Sequence, residues 1–434
     1  MPPLDSPLNR GWRTGHKSGT SVHSRCCPWG RAPPRRQDGN AGGGTTGPQR
    51  APTLQVARLA SGVLASAGEN RTPISMAAAR VPWWTWTWPL LAWVILLTTP
   101  FVGFGGFTAL ASGAALIATV FGAVYHAEVV AHRTGEPFGT LILAAAVTVI
   151  EVALIVSVMI AAPAEKAGLA RDTVFAAVMI VCNGIVGLCL LWGGARHHEQ
   201  GFQVHGASAA LAVLAVLTVL TLIEPNVATT MPGPVFSTSQ LVFVGIVSLV
   251  LYGAFVFIQT VRHRDYFLPV EGRGEKAHAP PPSNRMAVVS AGVLLVALVA
   301  IVGLAKSLSP MVETGVAWLD VPKAVVGIVI ATLVLLPEGL AALRAARANR
   351  LQTSLNLALG SALASIGLTI PTVAVVSIVF HKPLELGLGA KDQTLLALTL
   401  LLSVITLGTG RTTVLQGVSH LAIFATFLFF AVVP

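Results

Sequence analysis

Two glutamates lie inside long apolar runs of the sequence, where ionisable side chains are rare. Glu151 falls within GTLILAAAVTVIEVALIVSVMIAA and Glu338 within AVVGIVIATLVLLPEGLAAL. A charged side chain at the centre of a membrane helix costs roughly 2.5 to 3.5 kcal/mol on insertion scales, so such residues generally serve a function. The chemistry that they suggest is the reversible binding of a cation or a proton.

Oxygen-bearing side chains accompany both glutamates. Thr148 precedes Glu151 by three residues and shares its helical face. Asn183 lies in the apolar run after the one that holds Glu151. Ser361 and Ser365 lie in the run after the one that holds Glu338. Hard cations prefer carboxylate, hydroxyl and carbonyl oxygens. The predicted cation- and proton-binding residues, which would be the metal ligands of a transported ion, are Glu151, Glu338, Thr148, Asn183, Ser361 and Ser365.

Two prolines add backbone oxygens to the same regions. Proline has no N–H to donate within a helix, so Pro337 frees the carbonyl of Leu333 and Pro371 frees that of Gly367. Thr369 continues the hydroxyl stripe of Ser361 and Ser365. Helix packing is the alternative role for the hydroxyl and amide residues, and a protonated, hydrogen-bonded strut is the alternative for a single buried glutamate.

A second group of titratable residues lies where the run of residues 107–131 ends. His126, Glu128 and Glu136 could form an access path or a proton relay, and a solvated charge cluster is the alternative. The histidines and the glutamate of RHHEQGFQVH lie close together in the sequence, but they do not have the spacing of the metal-binding HExxH motif. We therefore expect a solvated loop there.

The composition indicates that these residues belong to a membrane protein. The chain is 54% hydrophobic and 11% charged, with a mean hydropathy of +0.73 over 434 residues, whereas about a quarter of the residues of soluble proteins are charged. Four cysteines in two separate pairs indicate neither a disulfide framework nor a zinc site. The predicted fold class is an all-α polytopic membrane protein.

Eleven apolar runs are long enough to span a bilayer, which takes about 20 residues. They cover residues 86–104, 107–131, 138–163, 173–193, 207–224, 239–261, 286–306, 322–343, 353–380, 393–409 and 416–433.

The basic residues predict how the runs are oriented. Residues 1–82 carry 11 Lys and Arg against 3 acidic residues and are rich in Gly, Pro and Ser, so we expect a disordered leader, for which Met76 is an alternative start. If the leader is cytoplasmic, the loops on its side hold eleven basic residues and the opposite loops hold six. The positive-inside rule then places the N-terminus in the cytoplasm and the C-terminus outside.

The two glutamate-bearing runs are the third and the eighth, so they cross the membrane in opposite directions. This arrangement predicts two inverted five-helix repeats, at residues 107–261 and 286–434, joined by a cytoplasmic loop at 262–285. One extra helix at 83–106 precedes them. Transporters built from inverted repeats bind their ions at the interface between the repeats, near the bilayer midplane.

Residues 337–371, PEGLAALRAARANRLQTSLNLALGSALASIGLTIP, resemble the second repeat of the calcium/cation antiporter superfamily. The resemblance is strongest to the bacterial Cha-type calcium/proton and sodium-potassium/proton antiporters. The characteristic glutamate, the basic Asn-containing loop and the L-G-S-A-L helix correspond to Glu338, residues 349–351 and residues 359–363. HAEVVAHRTGEPFGTLILAAAVTVIEV resembles the first repeat, with Gly139 and Glu151 in register, although Thr148 stands where vacuolar-type exchangers have Asn.

The resemblance implies a secondary antiporter of the bacterial inner membrane that exports Ca²⁺, Na⁺ or K⁺ in exchange for protons. Physical chemistry supports the coupling, because a carboxyl group in a medium of low dielectric favours its neutral form unless a cation neutralises its charge. Protons and the cation therefore compete for Glu151 and Glu338. A sodium/calcium-type exchanger without proton coupling and a cation channel remain alternatives.

The predicted partners are the lipid bilayer, small inorganic cations and protons, with no nucleic acid, and the oligomeric state is left open. We predict no cofactor. The apolar runs contain no nucleophile–base pair or catalytic metal triad that would indicate an enzyme.

Overall fold

The computed structural model describes residues 82–102, 105–135, 138–161, 167–268, 282–318, 322 and 324–433. Of the predicted leader only its last residue is described, and the predicted loop at 262–285 is described only at its two ends. Glu136 lies outside the described residues.

Within the described residues, eleven helices correspond one to one with the eleven apolar runs. They are α1 (Trp84–Val102), α2 (Gly106–Thr134), α3 (Phe138–Ala161), α4 (Leu169–His197), α5 (Val204–Asn226), α6 (Thr238–Arg262), α7 (Asn284–Trp318), α8 (Ala324–Arg347), α9 (Leu351–Phe380), α10 (Ala390–Leu407) and α11 (Val414–Val432).

Nine of these helices are long and apolar enough to cross a membrane within the described residues; the other two are α1 and α3. The described apolar part of α3 is Ala145–Val156. The structure confirms an all-α polytopic membrane fold. The largest difference from the predicted bounds is in α7, which was expected to end at residue 306 and continues to Trp318. Loss of apolar character marks the end of a hydrophobic run, but it does not by itself end a helix.

The loops sort into two sets that agree with the predicted alternation of the runs. A short antiparallel pair of strands, β1 (Gln200–Gly201) and β2 (Arg411–Thr412), joins the loops before α5 and before α11. Gln200 Nε2 also donates to the carbonyl of Ala346, and Arg133 Nε donates to Asn284 Oδ1 at 2.6 Å. These contacts join loops that were predicted to share the cytoplasmic side.

A second set of contacts joins the loops at the opposite ends of the helices. The segment before α10 donates from the Glu385 amide to Ala167 O, from the Gly387 amide to Pro234 O and from the Leu388 amide to Leu222 O. The segment before α10, Ala167 and Pro234 were predicted to lie outside, and Leu222 lies in the last turns of α5, which end on that side.

Several of the most extensive helix contacts match one another. α4 packs along α8 and α11, α9 packs along α3 and α6, and α2 packs along α7. Exchanging α2–α6 with α7–α11, in order, converts each of the first four contacts into another of the four and leaves the contact of α2 with α7 unchanged. Two five-helix repeats would produce this pattern, and the repeat assignment stays a prediction.

Buried apolar side chains form two main cores. One joins α1, α2, α3, α7 and α8, and the larger one extends from α3 and α4 to α11. The two glutamate-bearing helices contribute to both: Ile150 of α3 and Val334 of α8 belong to the smaller core, and Ile155 and Leu335 to the larger one. The glutamates therefore lie on helices that belong to both cores, between two packed bodies, one around each core.

Candidate cation site

Two glutamate–serine pairs form the centre of the candidate site. Ser365 Oγ donates to Glu151 Oε1 at 2.5 Å, and Ser361 Oγ donates to Glu338 Oε2. Glu151 is 3% exposed and Glu338 is 4% exposed. The structure therefore brings together four of the predicted ligands on α3, α8 and α9.

The helical repeat explains why one helix serves both carboxylates. Ser361 and Ser365 are one turn apart on α9, so their hydroxyls lie one above the other on nearly the same face. Because α9 packs along both α3 and α8, that face meets Glu151 from one neighbour and Glu338 from the other. The two carboxylates are close enough for an electrostatic interaction.

Hydroxyl groups extend the site along the same helices. Thr148 is buried, one turn before Glu151 on α3. Thr369 is fully buried one turn beyond Ser365, and its Oγ1 has no hydrogen-bond partner among the described residues. An unsatisfied buried hydroxyl costs free energy. A bound cation or a water molecule would satisfy the Thr369 oxygen.

The charge of the two glutamates has no protein counter-charge within the described part of the chain. The ion pairs found there join Arg171 to Asp172 and Glu385, and Arg411 to Glu199, all away from the site. A buried carboxylate without a partner is strongly disfavoured.

Asn183 occupies a different hydrogen-bond network. It lies in a π-helical turn of α4, Ile180–Ile185, and is fully buried. Its Nδ2 donates to Thr399 Oγ1 at 2.8 Å, and its Oδ1 lies 3.2 Å from His420 Nδ1. The described contacts of its side chain do not include either glutamate, and its role as an ion ligand stays a prediction.

His126 and Glu128 of the predicted access group have different surroundings, and Glu136 lies outside the described residues. His126 is fully buried against α1, where its Nε2 lies 3.3 Å from Thr85 O and its ring meets Trp86 edge to face. Glu128 is exposed and interacts electrostatically with Arg344 of α8. Residues two positions apart on a helix point in different directions, which separates the two side chains. Their roles in access or relay stay predictions.

No group of three or more His, Cys, Asp or Glu side chains within the described residues is arranged to hold a metal ion. At the end of α4, His197 Nε2 instead contacts Arg347 O at 3.0 Å, and Glu199 of the loop that follows pairs with Arg411. The carboxylate ligands available at the candidate site are therefore Glu151 and Glu338, supplemented by neutral oxygens.

Sequence reasoning missed His420 and Thr399, the partners of Asn183 on other helices. His420 lies within the last apolar run, so the signal that identified the glutamates, an ionisable residue in a membrane segment, also applied to it. Thr399 carried no signal that distinguishes it from a packing residue.

Comparison with known proteins identifies the chain's relatives. The family described as sodium/calcium exchanger protein matches residues 103–261 and 289–433. A Sinorhizobium fredii protein, y4hA, whose name describes it as an ionic transporter, is 48% identical over 370 residues, which are 84% of this chain and 100% of that protein. The sodium-potassium/proton antiporter ChaA of Escherichia coli is 35% identical over 316 residues, covering 72% of this chain and 85% of ChaA.

Solved structures show the same fold. Native YfkE aligns with a TM-score of 0.63 at 16% identity, covering 80% of this chain and 98% of YfkE. The H⁺/Ca²⁺ exchanger CAX aligns with a TM-score of 0.62 at 14% identity, covering 80% of this chain and 87% of CAX. The predicted resemblance to the calcium/cation antiporter superfamily is confirmed.

The family, the relatives and the nine apolar helices together establish an integral membrane transporter of cations and not an enzyme. The family match covers more than half of the sequence and both glutamate-bearing segments. The chain therefore belongs to the sodium/calcium exchanger protein family.

Proposed function

We propose that the protein exports Ca²⁺, Na⁺ or K⁺ from the cytoplasm in exchange for protons, and that Glu151 and Glu338 carry both. The observation that supports this most directly is the pair of buried carboxyl groups. Each is hydrogen-bonded to a serine of α9, and neither is paired with a described basic residue. A proton and a cation are alternative ways to neutralise such a group, so binding of one opposes binding of the other.

The serines suit a group that changes its protonation state. A hydroxyl both donates and accepts hydrogen bonds, so Ser361 and Ser365 can donate to a carboxylate or accept from a carboxylic acid. An Arg or Lys partner would instead favour the charged form permanently. The pairs therefore accommodate both states of the proposed cycle without a change of partner.

The two cores suggest how access alternates. α3 and α8 contribute apolar side chains to both cores, so a rigid movement of one body against the other would open the site to one side and then to the other. Rocking of one repeat against another is a common route to alternating access. If only proton-loaded or cation-loaded glutamates permit that movement, exchange is obligatory.

For the location, we propose the bacterial inner membrane with the N-terminus in the cytoplasm. The eleven basic residues in the loops predicted to share the side of the leader, against six in the opposite loops, support this orientation.

Everted membrane vesicles provide the test of proton coupling. Vesicles from cells that produce the protein, and from cells with the empty vector, are energised to acidify their interior, which is followed by quenching of a pH-sensitive dye. We expect Ca²⁺, Na⁺ or K⁺ to reverse the quenching only in vesicles that contain the protein, because cation uptake releases protons.

The rival functions give different results in the same vesicles. No response to any of the three cations would overturn the antiporter proposal. Calcium uptake driven by a sodium gradient, without a response to a pH gradient, would instead indicate sodium/calcium exchange. Cation flux that shows no saturation and no proton movement would indicate a channel.

The serine hydroxyls give a graded prediction. Ser361→Ala and Ser365→Ala each leave a buried carboxyl without its hydrogen-bond partner, which costs about 1 to 3 kcal/mol. We expect the cation concentration for half-maximal exchange to rise about 10-fold in each variant. Ser419→Ala is the matched control, because the described hydrogen bond of the half-buried Ser419 hydroxyl is made to Leu415 O of its own helix and lies away from the glutamates. Unchanged half-maximal concentrations in both serine variants would contradict the assigned role.

A further inference from the structure

Helices α1 and α7 touch near their middles and separate toward their first residues. Leu96 of α1 lies against Gly303 of α7, where an added Cβ atom would be 2.6 Å from Leu96 Cδ2. Earlier in both helices, Trp93 Nε1 donates to Val296 O at 3.1 Å. A Cβ atom added to Gly292, one turn before Val296, would have no heavy atom within 4 Å beyond its own helix. The two helices therefore diverge between Val296 and the beginning of α7.

The face of α7 that turns toward α1 is one continuous stripe. Arg285, Val289, Gly292, Val296 and Gly303 follow one another at spacings of four, three, four and seven residues. Residues at these spacings share one side of an α-helix. Because this side meets α1 at Gly303 but not at Gly292, a wedge-shaped cleft lies between the first turns of α1 and α7.

A surface pocket of about 230 Å³ occupies the wide end of this cleft. The residues that line it are Trp86, Ser283, Arg285, Met286 and Val289. Val289 is 40% exposed and Val296 is 45% exposed, so the cleft is open along the outer surface of the bundle. From Arg285 to Val296 the helix rises about 16 Å, close to half of the roughly 30 Å hydrocarbon core of a bilayer. The cleft is therefore about as deep as one leaflet.

The rim of the cleft carries positive charge and hydrogen-bond donors. Arg285 is exposed, and Arg133 Nε donates to Asn284 Oδ1 at 2.6 Å, which brings a second guanidinium group to the first turn of α7. The ion pairs within the described residues include neither arginine. Ser283 Oγ accepts from the amide of Met286 at 3.2 Å and keeps its own proton for another acceptor. Guanidinium and hydroxyl groups together suit the oxygens of a phosphate group.

We propose that the cleft between α1 and α7 binds an anionic phospholipid, with its phosphate at Arg285 and Ser283 and one acyl chain along Val289 and Gly292. The apolar depth of the cleft suits a lipid and not a free phosphate ion, and the positive rim favours a head group with a net negative charge. Trp86 lies at the level where tryptophan meets lipid head groups. None of these residues belongs to the candidate cation site, so the lipid site does not depend on the proposed ion exchange.

Lipid titration of the purified protein in a neutral detergent provides the test. The rise in melting temperature with added lipid gives an apparent Kd, since a ligand that binds only the folded state stabilises it. We expect phosphatidylglycerol to bind about 5-fold more tightly than phosphatidylcholine with the same acyl chains, because a basic residue near an anionic surface contributes about 1 kcal/mol. Equal apparent Kd values for the two lipids would overturn the proposal, as would equal stabilisation by Tris phosphate without lipid.

Substitutions at Arg285 test the phosphate contact. Arg285→Gln should raise the apparent Kd for phosphatidylglycerol about 5-fold and leave that for phosphatidylcholine within about 2-fold, whereas Arg285→Lys retains the charge and should stay within about 2-fold for both lipids. Arg196→Gln is the matched control, at an exposed position of α4, which packs along α8 and α11 instead. Unchanged binding of phosphatidylglycerol in Arg285→Gln would contradict the assigned contact.

Gly292→Leu tests the placement of the acyl chain without changing any charge. The leucine side chain fills the cleft, and the displaced acyl chain loses its dispersion contacts. We expect the apparent Kd of both lipids to rise about 3-fold. Gly253→Leu is the control, since Gly253 is an exposed glycine of α6 with equally open surroundings. Wild-type affinity in Gly292→Leu would overturn the placement, and so would a lipid-independent dimer that only Gly292→Leu disrupts, because a second copy would then occupy the cleft.

Discussion

Glu151→Gln and Glu338→Gln should each reduce cation-dependent proton exchange by at least about 100-fold. A cation about 4 Å from a carboxylate gains about 4 kcal/mol at an effective dielectric constant of 20, and an amide neither supplies this attraction nor exchanges a proton. The amide oxygen still accepts from Ser365 or Ser361, so the hydrogen bonds of the folded protein are retained. The rate of dye dequenching in everted vesicles measures the loss.

Folding and specificity are checked with two comparisons. The melting temperature of each purified variant should not fall, because the amide is neutral, nearly matches the shape of the protonated carboxyl group and keeps its hydrogen bond to the serine. Glu199→Gln, at an exposed loop glutamate that pairs with Arg411, should exchange at the wild-type rate. Retained exchange in both Glu151→Gln and Glu338→Gln would show that other residues carry the ions.

Gly417→Ala should destabilise the contact between α4 and α11. A Cβ atom at Gly417 would lie 2.8 Å from Leu191 Cα and 2.9 Å from Gly187 O. Both are backbone atoms of α4, so no side-chain rotation relieves the overlap. Overpacking of this kind costs about 1 to 3 kcal/mol. We expect the melting temperature in detergent to fall by about 2 to 6 °C.

The control for this prediction is another glycine within a helix. Gly292→Ala, in α7, adds a Cβ atom that has no other heavy atom within 4 Å beyond its own helix. It should be neutral or stabilising, because Ala favours a helix over Gly by about 1 kcal/mol. A melting temperature for Gly417→Ala equal to that of Gly292→Ala would show that α4 and α11 can separate at little cost.

Much of the fold could be predicted because hydrophobic length is a direct physical requirement of the bilayer. The eleven runs corresponded to eleven helices for this reason. Helix ends outside the apolar region, such as the end of α7, are set by local capping and contacts, which hydropathy does not report. The π-helical turns of α4, α5 and α6 were also not predicted, because one additional residue in a turn leaves the apolar composition unchanged.

The candidate site was predictable in its residue types but not in its pairing. Buried glutamates and a four-residue spacing of hydroxyls can be read from sequence, whereas the partner of each depends on which helices are neighbours. Thus Ser365 bonds to Glu151, 214 residues away, and Ser361 bonds to Glu338. The surroundings of His126 could not be predicted for the same reason. Its packing against α1 is a contact between two apolar runs, which the sequence of its own run does not reveal.

The π-helical turn of α4 gives the two halves of that helix different registers. The half before the turn packs mainly along α8, and the half after it packs mainly along α11. A π-helical turn holds one residue more than an α-helical turn, so it rotates everything beyond it by about 100° relative to an uninterrupted helix. Deleting a single residue in this turn would therefore redirect the whole second half of α4 away from α11, although every side chain beyond the deletion keeps its identity. In α4 the number of residues in the turn, as much as their composition, therefore determines that the first half of the helix meets α8 and the second half meets α11.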